Sequence, residues 1–443
     1  MAKASFLAAT GMVGSGFLEE TFERGLEMQP DFIGCDSGSV DDGPNPLGAG
    51  QTLFGRDGVK RDVRLMVLGA RRNGIPLLIG SSGGSGSRRH LAWMRDIVEE
   101  IAREEGLHFT LGLVDSEQDV TVLKRKLVDG RIRPLAGAPE LTEDVLDRSS
   151  TIVGMQGAEA FQGALDAGAD IVIAGRTTDA SIYAAVPLAK GVAPGPVWHA
   201  AKTLECGAAP VESRRHPDSM YCEVDDEGFT IVPLNPTMRC TPGSVASHGL
   251  YENRDPYLIH EPSGTINTLA STYAALDDRR VRVEGSAFEE ADVYTVKLEG
   301  AEMVGYQSLV LGAVRDPVIL RQFEKWLKGC EEAIEARCAQ IYSGSGYRFT
   351  TRVYGGDPSK AEEVVVLMDM TAETQDMART LALSAAHIAL HYPVPEWSGL
   401  ISTLAFPYSP HCIDRGPVYR FSLNHVVELD DPLELCRIET VEV

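Results

Sequence analysis

Over roughly the first 190 residues, short apolar runs take turns with stretches whose apolar positions recur at intervals of three and four. Ser5-Phe6-Leu7-Ala8-Ala9 and Asp31-Phe32-Ile33-Gly34 read as strands, with a helix from Phe17 to about Met28 between them. Val59, Val63, Met66, Val67 and Ala70 share one stripe, which predicts a helix over 59–72 that stops at Asn73-Gly74. Ile75 to Ile79 is a third strand. A second stripe, Leu91, Met94, Ile97, Val98 and Ile101, then precedes a strand over 108–114, helices over 120–128 and 159–167, and a strand over 169–174. Strands alternating with helices predict a parallel sheet covered on both faces, here a Rossmann-like, doubly wound α/β domain over residues 1–215. From Tyr221 the order changes. Strand-like segments at 229–232, 280–283 and 293–298 come in succession, and helices over 317–343 and 371–391 bracket a strand at 363–368, which predicts a mixed α+β domain over 216–443.

That architecture gives the loops meaning, because open parallel sheets bind ligands beyond the carboxyl ends of their strands. The segments so placed are 10–16, 35–43, 80–89, 115–117 and 175–179, and they hold most of the domain's glycine, serine and aspartate. Short turns favour the same residues, but five such ends together point to a shared cleft. In the third, Gly80-Ser81-Ser82-Gly83-Gly84-Ser85-Gly86-Ser87 leads into a helix, so its amides and hydroxyls suit a phosphate or carboxylate, with Arg88 or Arg89 as counter-charge. Neither glycine-rich loop has a nucleotide fingerprint: Gly11-x-x-Gly14-x-Gly16 reverses the dinucleotide spacing, and the Gly80 loop lacks the P-loop ending. Asp36, at the end of the second strand, keeps an NAD-type reading open. In the last segment Arg176 offers a planar fork to a carboxylate and Thr177 and Thr178 offer hydroxyls, while Asp179 suits either proton transfer or a helix N-cap. Asp36 is the second proton-transfer candidate. With Asp41 and Asp42 it also forms an acidic group that suits either a divalent cation or a solvated loop.

Composition narrows the partners. A formal charge of -23 argues against nucleic acid and anionic membranes, and no apolar run approaches membrane-spanning length. The first apolar run is cut short by Gly11 before it reads as a secretion signal, so a cytoplasmic protein is expected. The eight cysteines contain no CxxC pair, and no HxH or HExxH spacing occurs, so no metal site is assigned. His387 and His391 share a helix face without a third ligand in sequence. In the second half His248 and Glu252 are the acid/base candidates, in a loop-rich stretch that also holds Asp255, His260 and Glu261.

Several of these segments also form an ordered series. Cys35-Asp36-Ser37-Gly38-Ser39, the Gly80–Gly86 loop, Ala174-Gly175-Arg176-Thr177-Thr178-Asp179-Ala180 and Leu204-Glu205-Cys206-Gly207 resemble the acyclic terpene utilisation protein family. So do His248-Gly249-Leu250-Tyr251-Glu252-Asn253-Arg254-Asp255-Pro256-Tyr257, Glu261-Pro262-x-Gly264, Val281-Arg282-Val283-x-Gly285-Ser286 and Tyr294-Thr295-Val296-Lys297-Leu298-Glu299-Gly300. The resemblance is to the short form, without the extra C-terminal domain, and extends over nearly the whole chain. It implies a catabolic lyase of hydratase or dehydratase type acting on a small carboxylic acid or an acyl-CoA, with no resident cofactor confidently implied. The ending, Phe406 to Pro410 and Leu423 to Glu428, resembles members encoded beside a small companion protein, which implies a partner subunit; a homo-oligomer is also expected. A non-catalytic ligand-binding subunit of such a complex and an NAD-type oxidoreductase are the alternatives.

Overall fold

The computed structural model describes residues 2–250, 254–396 and 402–443. In chain order the first half comprises β1 (Lys3–Ala8), α1 (Glu19–Glu27), β2 (Phe32–Cys35), α2 (Pro44–Ala49), α3 (Arg56–Asn73), β3 (Leu77–Ile79), α4 (Arg88–Glu105), β4 (Thr110–Asp115), α5 (Val120–Val128), β5 (Ile132–Pro134) and α6 (Glu143–Arg148). It continues with β6 (Ser149–Gly154), α7 (Ala158–Asp166), β7 (Ile171–Ala174), α8 (Asp179–Ala189), α9 (Pro194–Leu204), β8 (Met220–Asp225) and β9 (Gly228–Pro233). Then follow α10 (Pro242–His248), β10 (Leu258–Glu261), β11 (Gly264–Asn267), β12 (Thr272–Ala275), β13 (Val281–Glu284), β14 (Ala287–Glu290) and β15 (Tyr294–Val314). The remainder is α11 (Pro317–Arg321), α12 (Phe323–Tyr342), β16 (Tyr347–Tyr354), β17 (Val364–Ala372), α13 (Gln375–His391), β18 (Cys412–Leu429) and β19 (Arg437–Glu442).

The chain divides into two compact units, Met1–Glu302 with Phe421–Val443, and Met303–Arg420. Residue 215, where the change of pattern suggested a boundary, lies within the larger unit, between α9 and β8. That unit is mixed α/β. Five parallel strands in the order β1-β2-β3-β7-β4 form its centre, and antiparallel strands extend both edges, β8, β9, β13 and β12 beside β1, and β19 beside β4. β2, β3 and β7 are buried along their whole length, as strands covered on both faces must be. Alternate residues go to opposite cores. Phe32, Leu78 and Val172 pack against Phe161, Tyr183 and Trp198 of α7, α8 and α9, whereas Ile33, Leu77 and Ile171 share a core with Phe22, Met66 and Ile97 of α1, α3 and α4.

The predicted helix over 59–72 is α3, whose apolar stripe is buried and whose stop is Gly74 at φ 64°. The stretch around Pro134 to Pro139 is flanked by β5, α6 and β6, and β6 pairs antiparallel with the start of β15. In the smaller unit β15, β17 and β16 form an antiparallel sheet covered by α12 and α13, with Trp326, Phe323, Leu381 and Ala385 in the core between them. The rings of His387 and His391 meet edge to face on α13.

At β3 the chain turns through a loop in which glycine is required for closeness as well as for conformation. Gly86 has φ 65°, and a Cβ there would stand 2.2 Å from the Arg176 amide nitrogen. Gly74 has nearly the same φ, 64°, with no atom within 4 Å of such a Cβ. Gly74→Ala therefore costs only the left-handed penalty, about 1 kcal/mol, while Gly86→Ala forces two backbones apart and costs about 3 kcal/mol or more. Denaturant unfolding of the two variants tests this, and equal losses would show that the approach at Gly86 is not tight.

Candidate functional site

The strand ends come together as the topology requires. The Gly80 amide donates to Cys35 O at 3.1 Å, the Ser37 amide to Gly80 O at 3.1 Å, and the Ser82 amide to Ala174 O at 2.9 Å, so the ends of β2, β3 and β7 are laced through the Gly80 loop. Gly80 to Ser87 are all buried. Some of the loop's amides are committed: besides the Gly80 and Ser82 bonds, Gly84 donates to Ser81 O and Gly86 to Ser82 O. Its hydroxyls are less committed. Those of Ser82 and Ser85, like those of Ser37, Thr177 and Tyr183, are buried without a hydrogen-bond partner among the described residues. His90, at the start of α4, fixes the far side. Its Nε2 donates to Gln51 O at 2.9 Å, which leaves Nδ1 to accept the Ser87 hydroxyl at 2.7 Å, and burial keeps the ring neutral by lowering its pKa. The Gly11–Gly16 segment is held likewise, since buried Asp62 accepts from the amides of Gly14 and Gly16 at 2.9 and 3.0 Å.

Arg176 follows β7 and points into this layer with 5% of its side chain exposed. Its Nε donates to Glu299 Oε2 at 2.9 Å, and its Nη1 lies 3.0 Å from Ser81 Oγ, 3.3 Å from Thr177 O and 3.4 Å from Gly38 O. Glu299 sits on β15, and its other oxygen accepts Lys297 Nζ at 2.9 Å. Burial opposes the Glu299 charge, but Arg176 and Lys297 together hold its pKa below the ordinary carboxylate value.

Outside Arg176 a cleft of about 910 Å³ opens, lined among others by Asp41, Thr178, Asp179, Lys202, Glu205, Glu261 and Lys297. Lys202 and Glu205, at the end of α9, form an ion pair with Glu205 3% exposed. Burial raises the Glu205 pKa to about 8, with the Asp179 and Glu261 charges adding to the effect and Lys202 opposing it. Glu261, at the end of β10, accepts the Thr178 hydroxyl at 2.6 Å. Burial lifts its pKa to about 7 against the pull of Thr178 and Lys202. Asp179 is raised too, by burial against the charges of Arg176 and Lys202, and its Oδ1 lies 3.6 Å from Arg176 Nη1, beyond hydrogen-bond reach. The N-cap of α8 is Thr178, so Asp179 occupies the first helical position rather than the cap. Asp36 lies deeper, 3% exposed, with Oδ2 accepting the Gly38 amide at 2.6 Å. Burial and the Asp179 charge raise its pKa well above the ordinary value.

The other candidates lie elsewhere. Arg88 turns to the surface, where Nε pairs with Asp115 at 2.8 Å and Nη1 stands 3.5 Å from Glu117. His248 lines a separate cleft of about 740 Å³ with Cys206 and Arg214, and burial, with the charges of Lys202 and Arg214, lowers its pKa to about 4. Glu252 falls outside the described residues. Asp41 lines the larger cleft, but among the described residues no three of His, Cys, Asp and Glu gather as a metal-binding group. The carboxyls with pKa values of about 8 and about 7, Glu205 and Glu261, stood in the sequence only within family motifs and a polar stretch, with no role assigned to either. For Glu205 a usable signal is Lys202 three residues before it, the one residue of permanent charge on α9.

No curated protein and no solved structure matched the chain. Residues 71–190, which contain the Gly80 loop, Arg176 and Asp179, match the model of acyclic terpene utilisation family protein AtuA, and the match bears out the family resemblance carried by the sequence motifs.

Proposed function

We propose that the chain is a cytoplasmic lyase of the hydratase or dehydratase type, acting on a small carboxylic acid or its thioester in the 910 Å³ cleft. The observation that carries this reading is a pair of carboxyls in one cleft, Glu205 and Glu261, whose surroundings place their pKa values at about 8 and about 7. Two carboxyls with pKa values at and just above neutrality suit a base and an acid working in the same turnover. In hydration, Glu261 takes a proton from water as the water oxygen bonds to the β-carbon of a conjugated double bond. The electron pair of that bond moves toward the carbonyl oxygen, and the α-carbon then takes a proton from Glu205. The Lys202 ammonium, paired with Glu205, balances the charge left behind. Dehydration runs the same steps in reverse. No helix of the described chain is long and apolar enough to cross a membrane.

Loss of the conjugated double bond's ultraviolet absorbance, followed with crotonate and crotonyl-CoA, tests the reaction. Glu205→Gln and Glu261→Gln should each lower turnover roughly a hundredfold or more, and a folded variant with undiminished turnover removes that glutamate from the scheme. No turnover of either compound by the unaltered chain sinks this choice of substrates and, with them, the lyase reading. In the hydration direction kcat/KM should fall below about pH 7 as Glu261 gains a proton and above about pH 8 as Glu205 loses one.

Asp179 raises the pKa of both glutamates through its charge. Asp179→Asn removes that charge, so both limbs of the pH profile should move to lower pH. A variant that changes melting temperature with both limbs unmoved would assign Asp179 to structure alone.

A further inference from the structure

Four side chains with permanent positive charge line the cleft, Arg176, Lys202, Arg254 and Lys297, and they differ in how much of that charge is already answered. Arg176 and Lys202 are 5% and 15% exposed and lie against Glu299 and Glu205. Lys297 has only a share of a carboxylate: Glu299 gives one oxygen to Arg176 and the other to Lys297, both at 2.9 Å. Arg176 is also faced by Asp179, whose Oδ1 lies 3.6 Å from Nη1, whereas Lys297 has its share of Glu299 alone and is within reach of a ligand, with its side chain 38% exposed. The backbone that carries Lys297 is fixed beside the cleft, because its carbonyl accepts the Met155 amide at 2.9 Å and Met155 lines the same cleft. Arg254 is exposed and makes no ion pair among the described residues.

We propose that Lys297 and Arg254 bind the anionic group of the ligand, a carboxylate or phosphoryl, at the exposed side of the cleft, leaving the reacting carbons to Glu205 and Glu261. Lysine supplies a point charge and arginine a planar fork, a combination that serves either anion. The Gly80 loop contributes less than its composition suggests, since the amides of Ser82, Gly84 and Gly86 are spent within the strand-end layer and the counter-charge Arg88 is paired at the surface. The inference rests on the cleft being the ligand site, but not on the reaction.

Calorimetric titration of the full chain with crotonate, with its uncharged analogue crotonamide and with inorganic phosphate tests the proposal. Lys297→Met should weaken crotonate roughly tenfold, the size of a lost charge-assisted hydrogen bond, and leave crotonamide unchanged, while Lys297→Arg restores crotonate binding. Arg254→Gln, at an exposed position, should weaken crotonate by roughly threefold. Phosphate that displaces crotonate supports a site open to phosphoryl groups, and phosphate that does not displace it supports a carboxylate site. The proposal is overturned if Lys297→Met weakens crotonate and crotonamide alike, if it weakens neither, or if neither anion binds the unaltered chain at millimolar concentration. A chain that binds crotonate through Lys297 yet turns over no conjugated acid or thioester would retain this site and lose the lyase reading.

Discussion

A guanidinium with 5% of its surface exposed can stay charged inside a protein only where carboxylate and carbonyl oxygens answer its donors, and Arg176 meets that condition by drawing on four segments at once. Glu299 reaches it from β15, Ser81 from the Gly80 loop, Gly38 from the segment after β2 and Thr177 from its own chain. Each of these is an end or edge that the parallel sheet alone leaves loose. Removing one partner of such a buried pair typically costs about 3–5 kcal/mol, because the other charge is left unmatched. The layer of strand ends is thus organised around a single cation, with the loops fitted to it. The approach of Gly86 to the Arg176 backbone is the tightest expression of that fit.

The same constraint shapes the chemistry of the cleft. Glu299 is kept ionised by its two cations, so it acts as a fixed charge. Asp36, Asp179, Glu205 and Glu261 have no comparable supply of positive charge, because Lys202 is the chief cation within their reach besides Arg176. Burial disfavours the charged form of each carboxyl, and the charges that remain nearby add to the effect, so their pKa values rise. Proton-holding capacity near neutral pH is therefore a consequence of burying Glu205 and Glu261 beside the single ammonium of Lys202. It does not depend on any one glutamate having a special neighbour.

What the sequence made legible follows from range. Elements of the parallel run could be read because strand and helix periods are local: the stripe from Val59 to Ala70 and the run before Gly80 became α3 and β3 with boundaries shifted by a few residues. The edges of the sheet could not be read in this way. β19 pairs with β4 across most of the chain's length, Arg437 opposite Asp115, and nothing in a charged C-terminal stretch announces that partner. In the site, Arg176 and Asp179 were legible because polar residues crowded one strand end. Lys297 and Glu299 were not, since they alternate with buried Val296 and Leu298 on β15 and so read as the solvent side of a half-buried strand. Glu299 is covered instead by the end of β7, where it meets Arg176, and Lys297 faces the cleft.

The glycine-serine loop after β3 shows how one composition serves two purposes. Small residues permit a backbone to approach a ligand, and they equally permit it to approach another strand end. Here the second use dominates, because Gly80 would place a Cβ 2.7 Å from the Thr177 hydroxyl and Gly86 one 2.2 Å from the Arg176 amide. Amides that close such contacts are not free to cradle an anion. The loop instead brings Arg176 to Ser81 and lets β7 project Thr178 and Asp179 into the cleft, where Thr178 holds Glu261 and the charge of Asp179 acts on both glutamates. In the proposed reaction its contribution is indirect. It acts through the positions and proton affinities of Glu205 and Glu261, side chains that lie far along the chain from the loop itself.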